Sequence, residues 1–469
     1  GLHATGVVTA TSFAGDGSSL TGTNRTVSLV ASGTLSNGQT VIVTSDGKAK
    51  AIVGGALTET TGAETVFEPQ EAMTTSVAYD STNNKVVVAY VDVNNNQDYY
   101  GTAVVGTVSG IGITFGPLVQ YDASATTNFP GIVYDSNSNK VVIAYQRDRT
   151  GNQYGNAIVG TVSGDTISFG TRVEFETSET EIKSETGITF DATNNKVVMV
   201  WKDVGNSNYG TAIVGTVSGT SISFGTKVVF NSANTPYASC VYDPGSEKVI
   251  VCYRDYGGGP AGRAKVGTVS GTSISFGSAA TFQSNDVTSI APVIDTTNNK
   301  LVVAFRDLSN SDNVRANVGT ISGTSITFGT TVTAHSTGIQ YTTAAYDSNR
   351  GKVVISYQDQ GNSGRGTSVV GTVSGSSISF GSPRVWNPGS SPYISSIYDS
   401  SNKRVVITYN DNPSNGNGTA VVFRNAGTET NLTSENFIGF SDAAYSDGDT
   451  ATVQVVTALD DAQSGLTTG

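Results

Sequence analysis

Few residues in this chain could carry chemistry. His3 and His335 are its only histidines, so neither a His-based catalytic triad nor a multi-His metal site can be assembled. Cys240 and Cys252 are too few for a disulfide framework and lack zinc-site spacing. They fall at opposed positions of one predicted hairpin, where other copies of the same text carry Val77 and Ala89, or Ile132 and Ala144. Small packed residues are therefore the expectation, with a cross-strand disulfide as the alternative. The stretch Asp92-Val93-Asn94-Asn95-Asn96-Gln97-Asp98 sets Asp92, Asn94, Asn96 and Asp98 at alternate positions, as a calcium loop does. It lacks the sixth-position Gly and the distal Glu, so a solvated Asn-rich turn is expected, and no metal or other cofactor is assigned. A carboxylate pair for glycoside hydrolysis follows no spacing rule and stays open. The expectation is a protein that is not an enzyme.

The elements that must position these residues come from a repeat. One complete copy reads ASCVYDPGSEKVIVCYRDYGGGPAGRAKVGTVSGTSISFGSAATF, residues 238–282. An Asp closes its first strand, at Asp80, Asp135, Asp191, Asp243, Asp295, Asp347 and Asp399, in steps of 55, 56 and then 52 four times. A second Asp closes the next strand, at Asp92, Asp148, Asp203, Asp255, Asp307, Asp359 and Asp411. Each copy holds four short alternating or Val-rich runs separated by turn residues, which by period and composition are β-strands. Named from the inside outward, A ends in an aromatic and Asp, B is KVVVAY-like, C is TAVVGTVSG-like, and D is ISFG. Seven four-stranded units near 50 residues predict an all-β fold, a seven-bladed β-propeller with small β-rich flanking segments.

The seventh copy has A, B and C, but RNAGTETNLTSENF stands where D belongs. The missing strand is found at the other end, where GAETVF at 62–67 matches GTKVVF at 225–230. Residues 57–69 are thus expected to close the seventh blade and remove an exposed edge. The aromatic before the first Asp (Tyr79, Tyr134, Phe190, Tyr242, Tyr346, Tyr398) and the Phe of the FG pair (Phe115 to Phe380) recur once per blade, as residues packing blade on blade must. The first Asp and the Lys or Arg five positions on, such as Asp80 with Lys85, predict a capped turn and a surface pair.

Comparing the copies separates two faces. The A-to-B and C-to-D turns are nearly interchangeable, whereas the B-to-C and D-to-A loops vary. In an up-and-down blade these pairs of connections emerge at opposite ends, so the varied face is the expected recognition face. It carries Tyr99, Tyr100, Tyr154, Tyr209 and Tyr256 in B-to-C loops, and Phe129, Tyr237, Tyr341, Trp386 and Tyr393 in D-to-A loops. Tyr and Trp among Asn, Ser and Gly offer flat apolar contact beside hydrogen bonds, which suits a glycan or a protein. Arg147, Arg254 and Arg306 occupy equivalent blade positions that Lys202 and Gln358 fill elsewhere, which reads as a rim slot. The S-x-D-x-G-x-x-W boxes of sialidases are absent.

Charge and hydropathy exclude other partners. The formal net charge is −12, with 26 Lys and Arg against 38 Asp and Glu and no basic cluster, so nucleic acid is not expected. Apolar runs such as residues 86–90 are about five residues long, against the ~20 needed to cross a bilayer as a helix, so no membrane insertion is expected. Lacking an initiator Met and ending in mid-pattern, the chain reads as a piece of a longer one.

Residues 5–22, TGVVTATSFAGDGSSLTG, and 428–469, beginning TETNLTSENFIGFSDAAYSDGD, resemble segments of the fibre and virion structural proteins of tailed phages, particularly marine ones. The resemblance covers about 60 flanking residues and transfers no functional residue. It implies a virion or extracellular location, other virion proteins as partners, intertwined trimeric neighbours that make a homotrimer one expected assembly, and a host-surface glycan or protein as target. The domain reading is a fibre-type segment at 1–23, a β segment at 24–56, the propeller at 57–423 and an incomplete C-terminal β module at 425–469. Because GTLSNGQTVIV at 33–43 reads like AAYSDGDTATVQVV at 443–456, the two flanks are expected to form one small β module beneath the ring. The expected function is a non-enzymatic virion appendage, a tail or capsid fibre component, whose propeller is displayed to the host surface. The alternative is a secreted glycan-binding lectin or glycan-active enzyme on the same scaffold.

Overall fold

The computed structural model describes residues 26–52, 54–93, 99–149, 152–178, 180–181, 187–430 and 437–455. Among them the regular structure is β-strand, apart from single 3-10 turns at Val204–Asn206, Gln360–Asn362 and Asn412–Ser414. Two units separate, residues 58–426 and the combined segments 1–57 and 427–469.

The larger unit is a seven-bladed β-propeller. In the second blade, A (Thr127–Asp135) pairs antiparallel with B (Lys140–Arg149), and B with C (Asn152–Ser163). Asp135 sits opposite Lys140, which leaves only a tight turn between them. D differs from the expectation. It comprises two pieces laid end to end along C, Thr166–Phe169 against residues 160–163 and Val173–Glu176 against 155–157. The ISFG run is only the first piece, because the Gly after Phe169 kinks the edge and the chain then rejoins the same C strand. Each A strand packs against the A strands of both neighbouring blades, the seventh against the first included, so the A strands form a closed inner ring.

Closure uses both D pieces. The seventh C strand, Asn417–Arg424, pairs Phe423 with Thr61, then Ala420 with Thr65, Thr419 with Val66 and Asn417 with Glu71. The strand Thr65–Asp80 then runs from the seventh blade directly into strand A of the first. The join is also held by Tyr79 Oη, which donates to Ser401 Oγ at 2.6 Å.

Packing between blades follows from one exchange of volume. The aromatic of the second D piece lies on the B-strand aromatic of the next blade, as Phe175 on Trp201 (5.2 Å between centroids) and Trp386 on Tyr409 (4.8 Å). That ring also fills the space over a glycine of its own C strand. A Cβ added at Gly366 would lie 2.3 Å from Trp386. The fifth blade swaps the two volumes, with Val314 in the glycine place and Ala334 in the aromatic place, both buried. Interiors packed near crystal density tolerate such a swap because total volume is kept.

The first Asp of each copy caps its turn from a buried position. Asp80 accepts from the backbone N–H of Thr82 (3.1 Å) and Asn83 (3.0 Å) and from Asn83 Nδ2 (2.8 Å). The expected surface pair with Lys85 does not form. Lys85 reaches Asp165 Oδ1 (2.6 Å) and Thr107 Oγ1 (2.7 Å), because Asp80 turns inward while the Lys projects toward the next blade's C-to-D turn.

The smaller unit is a five-stranded antiparallel sheet in the order Thr26–Val30, Thr450–Val455, Phe437–Ser441, Thr40–Val43, Ala49–Ala51. Its halves repeat one another. Leu35 and Tyr445 exchange backbone hydrogen bonds at 2.9 Å each, and the matched turns are closed by Ser36 N–H to Gln39 (2.8 Å) and Ser446 N–H to Asp449 (2.7 Å). A two-stranded piece, Gly54–Leu57 with Gly427–Thr430, belongs to the same unit.

Candidate recognition site

The aromatic residues of the varied face divide into four groups. Trp386 is removed from the set. It is 7% exposed, its Nε1–H donates to Ser368 Oγ at 2.9 Å, and it packs on Tyr409. It belongs to the interblade series of Phe67, Tyr121, Phe175, Phe230 and Phe282, not to a loop. Tyr99, Tyr100, Tyr154 and Tyr209 are half-buried residues at the start of C strands rather than loop residues, because the B–C pairing continues further than the loop chemistry suggests. Tyr256 is 40% exposed and carries the Arg254 guanidinium 4.6 Å above its ring.

Phe129, Tyr237, Tyr341 and Tyr393 are brought together. They line one cavity of about 360 Å3, with Thr74, Ala238, Ser239, Thr288, Ser289, Ile290, Arg306, Gln340 and Thr342. These residues stand at the starts of the A strands, so the cavity opens at the inner ring on the varied face. Local backbone geometry holds them there. Thr74, Phe129, Tyr237, Ser289, Tyr341 and Tyr393 have φ between +46° and +55°, the left-handed region. They occupy one equivalent position per blade, the third-blade counterpart falling outside the described residues. Four of the A strands shift register at this point, between Met73 and Ser76, Asn128 and Gly131, Thr288 and Ala291, and Gln340 and Thr343. The bulge re-aims the side chain that follows the D-to-A connection, as bulges at sheet ends do. An L-residue there costs about 1–2 kcal/mol, so the ring of strained positions is held by its surroundings. No residue type announces it in the sequence. Only the 52-residue spacing of Tyr237, Ser289, Tyr341 and Tyr393 does.

The arginines are tied. Arg254 makes a bidentate pair with Asp286 at 2.6 Å for both bonds, Arg147 Nε meets Asp122 at 3.0 Å, and Arg306 meets Asp312 at 2.9 Å. His335 lies in the strand Val332–Asp347, not a loop, with Nδ1 2.9 Å from Tyr357 Oη. The cysteines are free and buried. Cys252 stands opposite Ser239 and Cys240 opposite Val251, so they are offset by one residue and point to opposite sheet faces. That corrects their supposed opposition, and burial pushes both thiols up, as expected of packed rather than reactive cysteines.

Of the calcium-like stretch, Asn94, Asn96 and Asp98 lie outside the described residues. Asp92 is pushed up to about 6 by burial and by the neighbouring Glu68 charge. Among the described residues no three His, Cys, Asp or Glu side chains gather as a metal site would require. No described helix is long and apolar enough to cross a membrane.

No family model and no curated protein sequence matches the chain. Solved structures do. A lectin from Burkholderia pseudomallei superposes with a TM-score of 0.54 at 12% identity, over 77% of this chain and 98% of its own. A protein of unknown function from Dyadobacter fermentans (TM-score 0.43, 13% identity, 69% and 97% covered) and a Trypanosoma rangeli sialidase (0.41, 12%, 85% and 59%) are more distant. At these identities the likeness extends to the fold alone, and the fold is that of a β-propeller.

Proposed function

We propose that the propeller is a non-enzymatic display head on a virion appendage, contacting carbohydrate on a host surface through its varied face. The observation that carries this reading is the gathering of Phe129, Tyr237, Tyr341 and Tyr393 around one cavity on that face. Aromatic faces beside hydroxyl and amide groups are suited to sugars, which present apolar C–H faces and a fringe of hydroxyls. The non-enzymatic part of the reading draws support from Arg147, Arg254 and Arg306, which are held in ion pairs, and from a cavity lining with no carboxylate among its described residues. The setting rests on the flanking segments 5–22 and 428–469, and with it come other virion proteins as partners and a homotrimeric assembly. Fold by itself does not distinguish this role from that of a secreted lectin or a glycan-active enzyme.

The test is a glycan array probed with the 469-residue chain, together with antibody labelling of purified particles. Saturable binding without cleavage of the bound glycan, and labelling of a projecting structure, are expected. Cleavage of a bound glycan would replace the reading with the enzymatic one. Binding without any particle labelling would replace it with the secreted lectin.

A further inference from the structure

The cavity at the inner ring is asymmetric in a way that specifies its occupant more closely. Of the six described left-handed positions, the sixth and seventh blades contribute Tyr341 and Tyr393, whose ring centroids lie 5.0 Å apart with the planes tilted by 58°. The blades on either side contribute small residues, Ser289 from the fifth and Thr74 from the first. A tilted aromatic pair is thus flanked by small residues on both sides, within a volume near the lower end of the roughly 300–1,000 Å3 typical of small-molecule sites.

The polar side chains of the lining lie at two depths. Thr74, Thr288 and Thr342 line the cavity and are only 5%, 6% and 5% exposed, yet none of their hydroxyls has a hydrogen-bond partner among the described residues. Arg306 Nε, in the same lining, is also buried without one. Those atoms are sealed from the cavity, whereas Ser289, Gln340 and Arg306 are part-exposed in its lining. Two further hydroxyls of the ring are paired internally. Thr75 Oγ1 donates to the Tyr393 carbonyl at 2.7 Å, and Ser239 Oγ to the Ile290 carbonyl at 2.7 Å.

Charge narrows the ligand further. Arg306 is the one charged residue in the described lining, and its guanidinium is already compensated by Asp312. An anion would gain little from a cation that is already paired, and a cation would find no carboxylate in the lining. Resting on the carbohydrate reading above, we propose that this cavity is a binding site for one neutral sugar residue. The sugar packs against the tilted Tyr341 and Tyr393 rings, and its hydroxyls meet the part-exposed polar side chains of the lining, Ser289, Gln340 and Arg306.

The test titrates the full chain with methyl glycosides of glucose, galactose and mannose and with the matching uronates, by ligand-observed NMR and calorimetry. At least one neutral glycoside should bind saturably, and its uronate should bind no more tightly. Gln340→Met keeps the side-chain length and removes one part-exposed amide of the lining, and should weaken binding at least several-fold with an unchanged melting temperature. Tyr341→Ala with Tyr393→Ala should weaken it tenfold or more, while Tyr256→Ala, outside the cavity, should not. A tenfold preference for a uronate overturns the neutral-sugar assignment. Neutral binding that ignores both the Gln340 and tyrosine variants overturns the site, as does an array signal without any glycoside binding, and in each case carbohydrate recognition survives elsewhere on the face. Silence of both array and glycosides overturns the site and the carbohydrate reading together.

Discussion

Beside each interblade aromatic the chain places one polar residue, and what that residue meets differs from blade to blade. Asn231, Gln283 and Asn387 donate neutral amide hydrogens to Asp255 (2.9 Å), Asp307 (2.6 Å) and Asp411 (3.0 Å). Where the residue is an acid a cation attends it, Lys227 at Glu176 and Arg147 at Asp122. Glu68 is the exception, since it accepts from Tyr90 Oη at 2.9 Å and lies near Asp92 with no ion-pair partner among the described residues. Burial first, and the Glu68 charge second, push Asp92 from 3.8 up to about 6. The folded state therefore holds a proton that the unfolded chain has released between about pH 4 and 6, so this group's effect on stability worsens as pH rises through that window. Asp92→Asn should raise the melting temperature at pH 7 and flatten its dependence between pH 4 and 6, as read by thermal unfolding at half-unit steps. A parallel pH profile in the two proteins would show that Asp92 is not the cause. The same residues show why Trp386 belongs to the core. Its copies in other blades are Phe67, Tyr121, Phe175, Phe230 and Phe282, a series visible in the sequence, but the second D piece that aligns them lies beyond a glycine turn that reads as the end of the strand.

At the scale of the strand and turn, the glycine that follows each first D piece touches the next blade. A Cβ at Gly329 would lie 1.9 Å from the Ser376 carbonyl oxygen, and one at Gly62 would lie 1.7 Å from that of Ile111. Both carbonyls belong to C-to-D turns of the following blade. Gly381 faces the seventh blade, which has no such turn because the chain leaves the ring after Arg424, and its nearest atom is the Val370 carbonyl oxygen at 3.8 Å. One recurring residue therefore has two different costs of substitution. Gly329→Ala should destabilise by about 1–3 kcal/mol, as overpacking against backbone does. Gly381→Ala should be neutral, or stabilise by up to about 1 kcal/mol through the unfolded chain. Denaturant melts of the two variants decide it, and equal losses would mean that the glycines serve a backbone need common to all blades. The strands, the blade number and the missing seventh D strand were legible because the repeat makes each copy a control for the others. The left-handed ring and its cavity were not, because Thr, Phe, Tyr and Ser carry no mark of positive φ.

For the ring as a whole, the closing strand determines how stability is distributed. In an open array of repeats each unit contacts only its neighbours, and removing a terminal unit shortens the array. Here the inner A strands form a circle and the edge of the seventh blade is covered by residues from the opposite end of the chain. Those residues also deliver Phe67 to Tyr90 (5.2 Å) and Phe115 (5.4 Å) in the first blade, so the same segment seals an edge and packs an interface. Removing residues 1–71 should uncover the C strand Asn417–Arg424 and leave Tyr90 without its cover, weakening two blades at once. The whole propeller should then melt earlier in one cooperative step. Removing only residues 1–57 takes strands from the smaller unit and leaves the closure pairs intact, so the main transition should stay where it is in the complete chain. Calorimetry of the three proteins separates the possibilities. If the shorter truncation lowers the main transition as much as the longer one, stability enters the ring through the flanking sheet. If neither truncation moves it, the interfaces among the remaining strands suffice, and the closing strand protects the edge from other chains without holding the circle together.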